Sequence, residues 1–371
     1  MRNIILIFFI FLLIGTGSPV VCGEPLESAS FPSLISTIKI KTSVDFCGEP
    51  VPLNDPEIYE RLEKELLLFA WNRSQVILWL KRTGRYMPYI EKMLEKHGMP
   101  DDLKYSAVVE SSLIPYIRSS KYATGLWQFI KATGIRYGLR IDSHIDERRN
   151  VYKATEAAIM YLKKLYGDFN SWTLAVAAYN MGEAGLRSKI DFQNTRDFYH
   201  LYLPMETQRH ILKIVAVKLL LSNPEKYGFH FEKSDFYSLK PFDTVRVESS
   251  GRVPLTLIAE AAQTYYKTVR NLNPEIRNRY LPAGSYSLAV PEGAALKFQE
   301  RYQRILSERE AKAKSRPAVK KKKGPRIYVV KRGDNLSRIA EKFRVPMSRI
   351  IKWNKLRTKT VYPGQRLIVG R

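Results

Sequence analysis

Apolar residues recur at helical spacing through the first two thirds of the chain, and this pattern constrains the fold most. Near its start the apolar positions lie three or four residues apart, as on one face of a helix: Ile58, Leu62, Leu66 and Phe69. The spacing returns over residues 153–166 and 205–221. Gly98, followed by Pro100, ends one such segment. We therefore predict a helical region that begins near Ile58 and ends near residue 229.

The length and composition of the chain indicate a globular protein of several units. A chain of 371 residues exceeds one ordinary domain, and 45% hydrophobic residues are enough for packed cores. The two cysteines, Cys22 and Cys47, cannot form a zinc site alone, and the five histidines lack ligand spacing. We therefore predict no metal and no cofactor.

Residues 1–23 have the composition of a cleaved secretory signal peptide. Arg2 supplies the positive start, an apolar run covers residues 4–14, and small residues precede Glu24. The run is short for a membrane span. An uncleaved anchor and lipidation of Cys22 remain alternatives, so association with the membrane through the N-terminus stays open. We expect export to the periplasm or cell envelope.

Three short segments in the helical region carry the candidate chemistry. The first contains Glu110, beside Val108 and Val109 near the end of a helix predicted for residues 103–111. A carboxylate in this position should be partly desolvated. Desolvation penalises the charged form, which suits a general acid at neutral pH. A surface glutamate is the alternative.

The other two segments pair aromatic side chains with amides. Trp127 precedes Gln128, and Tyr179 precedes Asn180. Aromatic faces and amides suit sugar rings, which have apolar faces and polar edges. Taken singly, both aromatic residues would also suit a core.

In this order, the segments E-S-S-L-I-P, G-L-W-Q-F and A-A-Y-N-M-G resemble the soluble-lytic-transglycosylase domain. The resemblance continues through residues 146–149 and residues 203–207. It implies a lysozyme-like helical fold in which Glu110 is catalytic and five residues bind substrate: Ser111, Gln128, Tyr179, Asn180 and Glu206. His210 stands where relatives usually have tyrosine. A solvated helix face is the alternative for Glu206 and His210.

The resemblance also implies a reaction on peptidoglycan. Glu110 would protonate the oxygen that leaves N-acetylmuramic acid (MurNAc) and then take the proton of its 6-hydroxyl, forming a 1,6-anhydro end without water. A single acid suits substrate-assisted cleavage. The other acids of the region, Asp146, Glu156 and Glu183, we interpret as helix-face or capping charges. The alternatives are a muramidase on the same fold and a non-catalytic wall-binding protein.

An internal repeat follows the helical region. Ile258 and Ile339, Asn273 and Asn354, and Pro282 and Pro363 are three pairs of residues at one constant offset. Such matching predicts two copies of one small unit. The second copy resembles a LysM domain, which implies a βααβ module that binds N-acetylglucosamine. The first copy lacks the Gly-Asp turn, so its sugar binding stays open.

We therefore predict an α+β multidomain protein, with a mainly helical lysozyme-like catalytic domain followed by small βααβ LysM modules. Its parts are a signal peptide (1–23), an N-terminal helical region (24–100), the catalytic domain (101–230), a degenerate LysM-like module (243–291), a disordered basic linker (310–326) and a LysM domain (327–371). The linker would let its module raise the local substrate concentration.

The formal net charge of +25 bears on the partner. Strong basicity is typical of nucleic-acid binding, but the export signal excludes DNA. Peptidoglycan stems carry carboxylates and the wall is polyanionic. The charge therefore predicts steering to the wall, with peptidoglycan glycan strands as the partner and no nucleic acid.

Overall fold

The computed structural model describes residues 38–40, 43–315 and 324–370. The predicted signal peptide and Cys22 lie outside these residues. The chain divides into two compact units, one that ends at Tyr302 and one that begins at Gln303. Within the described part, no helix is both long and apolar enough to traverse a lipid bilayer.

The first unit opens with a short antiparallel hairpin and continues as helices. Strands β1 (Asp45–Phe46) and β2 (Glu49–Pro50) pair with each other. The helices are α1 (Pro56–Trp71), α2 (Arg73–Lys96), α3 (Lys104–Ser111), α4 (Lys131–Arg136), α5 (Val151–Phe169), α6 (Trp172–Met181), α7 (Glu183–Gln193) and α8 (Met205–Ser222). The long segments predicted from apolar spacing are thus confirmed as helices.

Helix α8 lies at the centre of this helical region. It packs against α1, α3 and α6, and its apolar face is almost fully buried, including Ile211, Ile214, Val215 and Leu220. Side-chain caps fix where α6 and the adjacent helix α5 begin. Asn150 accepts a hydrogen bond from Lys153 N (3.1 Å) to start α5, and Ser171 accepts one from Leu174 N (3.3 Å) to start α6. Helix α6, which packs against α8, and helix α5, which packs against α6, therefore start at defined residues.

The internal repeat appears as two copies that share the order strand, helix, helix, strand, to which the first copy adds two short strands. The first contains β3 (Phe242–Ser249), β4 (Val253–Pro254), α9 (Leu255–Ala261), α10 (Tyr266–Leu272), β5 (Tyr280–Leu281) and β6 (Gly284–Pro291). The second contains β7 (Arg326–Val329), α12 (Leu336–Phe343), α13 (Met347–Asn354) and β8 (Arg366–Gly370). In each unit the first and last strands pair antiparallel.

One asparagine makes the same three hydrogen bonds in both copies. Asn273 Nδ2 donates to Val269 O (2.8 Å) and Ala289 O (2.7 Å), and its Oδ1 accepts from Ala289 N (2.8 Å). Asn354 makes the equivalent bonds to Ile350 O (2.8 Å), Ile368 O (2.9 Å) and Ile368 N (2.7 Å). This side chain ties the second helix to the closing strand, so the predicted repeat is confirmed.

The first copy is docked on the helical region by backbone pairing. Ile145 and Ile276 form an antiparallel bridge. Asp146 N donates to Glu275 O (2.8 Å), and Arg277 N donates to His144 O (2.7 Å). The sequence did not predict this docking.

A further helix, α11 (Phe298–Ser315), follows the first copy. Its early residues pack on that copy, where Arg301 Nε donates to Ala261 O (2.6 Å). Because the helix continues to Ser315, residues 310–315 are helical and the prediction of a disordered linker is wrong for them. Residues 316–323 lie outside the described residues.

Candidate active site

Glu110 lies in the last turn of α3. The preceding residues Ala107 and Val108 are fully buried, whereas the Glu110 side chain keeps 15% of its surface exposed. Helix α3 ends abruptly, since Ser112 has the left-handed φ of +54°. Arg82 of α2 donates to Ser112 O at 2.9 Å. The predicted partial burial of Glu110 is confirmed, and α2 fixes the helix end that carries it.

His210 of α8 faces this carboxyl. Its Nε2 lies 3.3 Å from Glu110 Oε1, and only 7% of its side chain is exposed. The contact lacks the angles of a hydrogen bond, so Nε2 has no hydrogen-bond partner among the described residues. The alternative of a solvated helix face is therefore wrong for His210. An N–H on this nitrogen would lie close to Glu110 Oε1.

Tyr179 and Asn180 lie in the last turn of α6. The Tyr179 hydroxyl donates to Trp127 O at 2.6 Å. Burial raises the pKa of Tyr179 well above its usual value, and the nearby charge of Glu110 raises it further. Asn180 Oδ1 accepts from Thr207 Oγ1 at 2.9 Å, which leaves its amide nitrogen without a partner in the described part of the chain.

Gln128 and Trp127 lie on a loop whose Thr124 bridges both Arg118 and Phe129; we call residues 117–130 the cleft hairpin. Gln128 Nε2 donates to Gly125 O (2.7 Å) and Ile117 O (3.4 Å). Its Oε1 accepts no hydrogen bond from the described residues. The prediction that Trp127 offers a face to sugar is wrong, because its ring is 1% exposed and its Nε1 donates to Thr155 Oγ1.

Two predicted binding residues occupy very different places. Ser111 is 2% exposed, and its Oγ donates to Ala107 O of its own helix at 3.0 Å. Its hydroxyl thus does not meet an open cleft in this structure. The Glu206 side chain is 69% exposed and lies 3.3 Å from Lys121 Nζ of the cleft hairpin. Glu206 therefore lies on a solvated helix face, opposite the hairpin tip.

A buried ion pair anchors the cleft hairpin. Arg148 Nε and Nη2 each lie 2.8 Å from the Asp146 carboxylate, and Arg148 Nη1 donates to Phe129 O (2.9 Å) and Tyr122 O (3.1 Å). Burial alone would raise the pKa of Asp146, but the Arg148 guanidinium lowers it below its usual value. The interpretation of Asp146 as a helix-face or capping charge is wrong, because both partners are buried.

The remaining acids of the region are engaged away from Glu110. Glu183 binds Arg136 Nη1 (2.6 Å) and Tyr161 OH (2.8 Å) at the start of α7, and Glu156 is exposed on α5. Within residues 38–40, 43–315 and 324–370, no group of three or more His, Cys, Asp or Glu side chains could hold a metal ion. The arrangement around Glu110 can donate and accept a proton beside amide hydrogen bonders.

Sequence reasoning assigned no role to Thr207 and did not predict the contact of His210 with Glu110. Thr207 and His210 are three residues apart on α8, so both face the same side, and there they reach Asn180 and Glu110. The sequence signal that could have identified these two residues was their spacing on a helix that is apolar enough to be buried. It could not identify the partners, since α3, α6 and α8 are far apart in sequence.

Comparison with known proteins is consistent with this geometry. Residues 87–202 match the family described as Transglycosylase SLT domain. Residues 328–370 match the LysM domain, and residues 241–307 match the family described as Lytic transglycosylase MltD, LysM-like domain. The first of these matches ends before α8, which carries His210.

The chain is also similar to individual curated proteins. It is 30% identical to Membrane-bound lytic murein transglycosylase D of Escherichia coli strain K12 over 331 residues, which cover 88% of this chain and 72% of that protein. It is 36% identical to Peptidoglycan transglycosylase gp16 of Escherichia phage T7 over 104 residues, or 27% of this chain and 8% of that protein. The chain belongs to the membrane-bound lytic murein transglycosylase D family.

Proposed function

We propose that this chain is a peptidoglycan lytic transglycosylase whose single catalytic carboxyl is Glu110. The observation that carries the assignment is the position of Glu110, which is partly buried at the fixed end of α3. His210 Nε2 lies 3.3 Å away, and Tyr179 lies within electrostatic range. Ordinary glycosidases use two carboxylates, whereas here Asp146 and Glu183 are paired elsewhere and Glu156 is exposed on α5.

In the proposed reaction, Glu110 first donates a proton to the substrate and then accepts one from it. Protonated Glu110 gives its proton to the glycosidic oxygen, and the bond from that oxygen to the anomeric carbon of MurNAc breaks. The acetamido oxygen of the same sugar stabilises the positive anomeric carbon. Glu110, now a carboxylate, takes the proton of the 6-hydroxyl, and the resulting oxygen closes on the anomeric carbon. The product is a 1,6-anhydroMurNAc end, and no water is consumed.

The amides beside Glu110 would orient the sugar. The Asn180 amide nitrogen can donate to the acetamido group, because Thr207 fixes the opposite end of that side chain. Gln128 offers its Oε1 to a sugar N–H or hydroxyl, with Nε2 fixed on the hairpin. Tyr179 would act by holding the hairpin through Trp127 O. We assign Glu206 to the outer rim of the cleft, and we leave Ser111 out of the binding set.

His210 would position the carboxyl. With an Nε2–H directed at Glu110, it can stabilise the carboxylate that forms after the first proton transfer. The same interaction weakens when Glu110 is protonated again, so the imidazole favours the intermediate over the resting acid. His210 touches the catalytic group but would exchange no proton with the substrate in this scheme.

The remaining parts would bring the enzyme to its substrate. We divide the chain as predicted from sequence, with the catalytic domain at 101–230, a LysM-like module at 243–291 and a LysM domain at 327–371. The LysM domain would bind N-acetylglucosamine of the glycan strands. Export to the periplasm or cell envelope, with possible attachment through the N-terminus, is proposed from residues 1–23.

The test is product analysis in water enriched in oxygen-18. Purified full-length protein is incubated with sacculi, and the masses of the released muropeptides are measured by mass spectrometry. The proposal expects anhydro ends without label. Labelled reducing ends would instead identify a muramidase on the same fold, and no soluble product would identify a non-catalytic wall-binding protein.

A further inference from the structure

A cationic cavity lies where the first LysM-like copy meets the helical region. It has a volume of about 550 Å³ and is lined by Arg118, Tyr122, Lys131, Ile141, Asp142, Ser143, Arg148 and Arg277. Seven of these residues belong to the helical region, and Arg277 belongs to the first repeat copy. The docking described above therefore completes the cavity.

Three of its cations have no anionic partner. Arg148 is neutralised by Asp146, and Asp142 is paired with Arg140 at 2.7 Å. Among the described residues, no carboxylate lies within ion-pair distance of Arg118, Lys131 or Arg277. The carboxylates of Asp142 and Asp146, at or beside the cavity, are thus already paired with arginines. The cavity therefore keeps an excess positive charge.

The unpaired groups are close together and partly held in place. Arg118 stacks over the Tyr122 ring, with its guanidinium carbon 4.4 Å from the centroid. Arg277 Nη1 donates to Asp142 O at 3.2 Å. Burial lowers the pKa of the adjacent Arg149, and the charges of Arg277, Arg148 and Arg118 lower it further against the opposing effect of Asp146. Arg149 Nε is also buried without a partner.

We propose that this cavity binds a carboxylate of the peptide stems of peptidoglycan while the glycan occupies the cleft beside it. Guanidinium groups match carboxylates through paired N–H donors, and an anion relieves the repulsion between gathered cations. The cleft hairpin joins the two sites, since it carries Arg118 and Tyr122 at the cavity and Gln128 at the cleft. The inference rests on the proposed function, because it assumes peptidoglycan as substrate.

This site gives the first repeat copy a role other than sugar binding. The copy lacks the Gly-Asp turn of the second copy and has Ala283 in place of Gly364. It contributes Arg277 through a backbone that pairs directly with the helical region, as Arg277 N donates to His144 O at 2.7 Å. The copy thus forms one wall of the proposed binding site.

The test compares two substrates and three variants of the full chain. The substrates are sacculi with intact stems and glycan strands freed of their stems by an amidase. Lys131→Gln and Arg277→Gln each remove one cavity charge. Arg279→Gln is the matched control, because Arg279 is exposed on the same copy and does not line the cavity.

We expect each cavity variant to cleave stem-bearing substrate about two- to fivefold more slowly, as for one exposed ion pair. All three variants should cleave stem-free strands at the wild-type rate. Equal losses on both substrates, or no loss on either, would overturn the proposal. Lys131→Gln guards against loosened docking, because the Lys131 side chain has no hydrogen bond or ion pair to the first copy among the described residues. If the wild-type protein cleaves neither substrate, the proposed function itself fails.

Competition identifies the source of the anion. Isolated stem peptide should inhibit wild-type cleavage of stem-bearing substrate, and should inhibit the Lys131→Gln variant at least twofold less. Inorganic phosphate at matched ionic strength should have little effect. Equal inhibition by phosphate and stem peptide would mean a general anion site and would overturn the assignment to stems.

Discussion

Replacing Gly125 by alanine should disturb the cleft hairpin far more than the same change at Gly138. The two glycines have almost the same backbone conformation, with φ of +89° and +86°. A side-chain carbon at Gly138 would meet nothing within 4 Å, whereas at Gly125 it would lie 1.7 Å from Arg148 O. The pair of variants therefore separates backbone strain from a collision.

The structure indicates how much the free energies of unfolding of the two variants should differ. An alanine in the left-handed region costs about 1–2 kcal/mol at either site. At Gly125 the carbonyl of Arg148 must also move, although the Arg148 side chain is fixed by Asp146, Phe129 and Tyr122. Overpacking of this kind adds about 1–3 kcal/mol. The hairpin should yield first, and it carries Gln128.

Two assays measure the consequence. Gly125→Ala should melt at a lower temperature than Gly138→Ala, by roughly 2–4 °C for each kcal/mol of the difference. Its rate of sacculus solubilisation should fall by up to about 100-fold, because a misplacement of about 1 Å can cost that much. Gly138→Ala should keep nearly the wild-type rate. Equal melting temperatures and equal rates for the two variants would refute the role given to the hairpin.

Two further predictions concern His210 and Asp142. His210→Phe should lower kcat about tenfold or more with little change in KM, because the donor that faces Glu110 is lost. His210→Gln, which keeps an N–H donor, should retain more activity, and equal kcat values for all three proteins would contradict the positioning role. Burial raises the pKa of Asp142, but hydrogen bonds from Ile145 N, Arg140 and His144 N bring this pKa to about 2. Because the pKa is depressed in the folded state, the ionised carboxylate stabilises the fold fully above about pH 4, and this stabilisation is lost as the pH falls toward 2. Between these pH values, the melting temperature of Asp142→Asn should depend less on pH than that of the wild type.

The helices and the repeat could be predicted because their signals are local. The periodicity of α1 and α5 is visible within one window of sequence, and the repeat anchors recur at a constant offset. Asn273 and Asn354 explain why that offset persists, since each ties a helix to the strand that closes its own copy. These hydrogen bonds join residues that are near each other in the sequence, so the repeat can be recognised from the sequence alone.

The site was predicted only in part, because its contacts join distant segments. The resemblance gave Glu110 as the catalytic residue and predicted substrate binding by Ser111, Gln128, Tyr179, Asn180 and Glu206. The contact of His210 with Glu110 depends on how α8 packs against α3. Trp127 was misjudged because exposure cannot be read from residue type alone. The role of Asp146 was misjudged, because the sequence does not show that Arg148 pairs with it within a buried turn.

Cleavage of sacculi by Glu110→Gln tests the central claim most directly, since the amide keeps the shape of the side chain but cannot give and reclaim a proton. The matched control is Glu156→Gln, which removes an exposed acid of the same domain. The account predicts that Glu110→Gln folds with a wild-type melting profile and releases no anhydro-muropeptides, while Glu156→Gln releases them at the wild-type rate. Release by Glu110→Gln at a rate near that of wild type would contradict it.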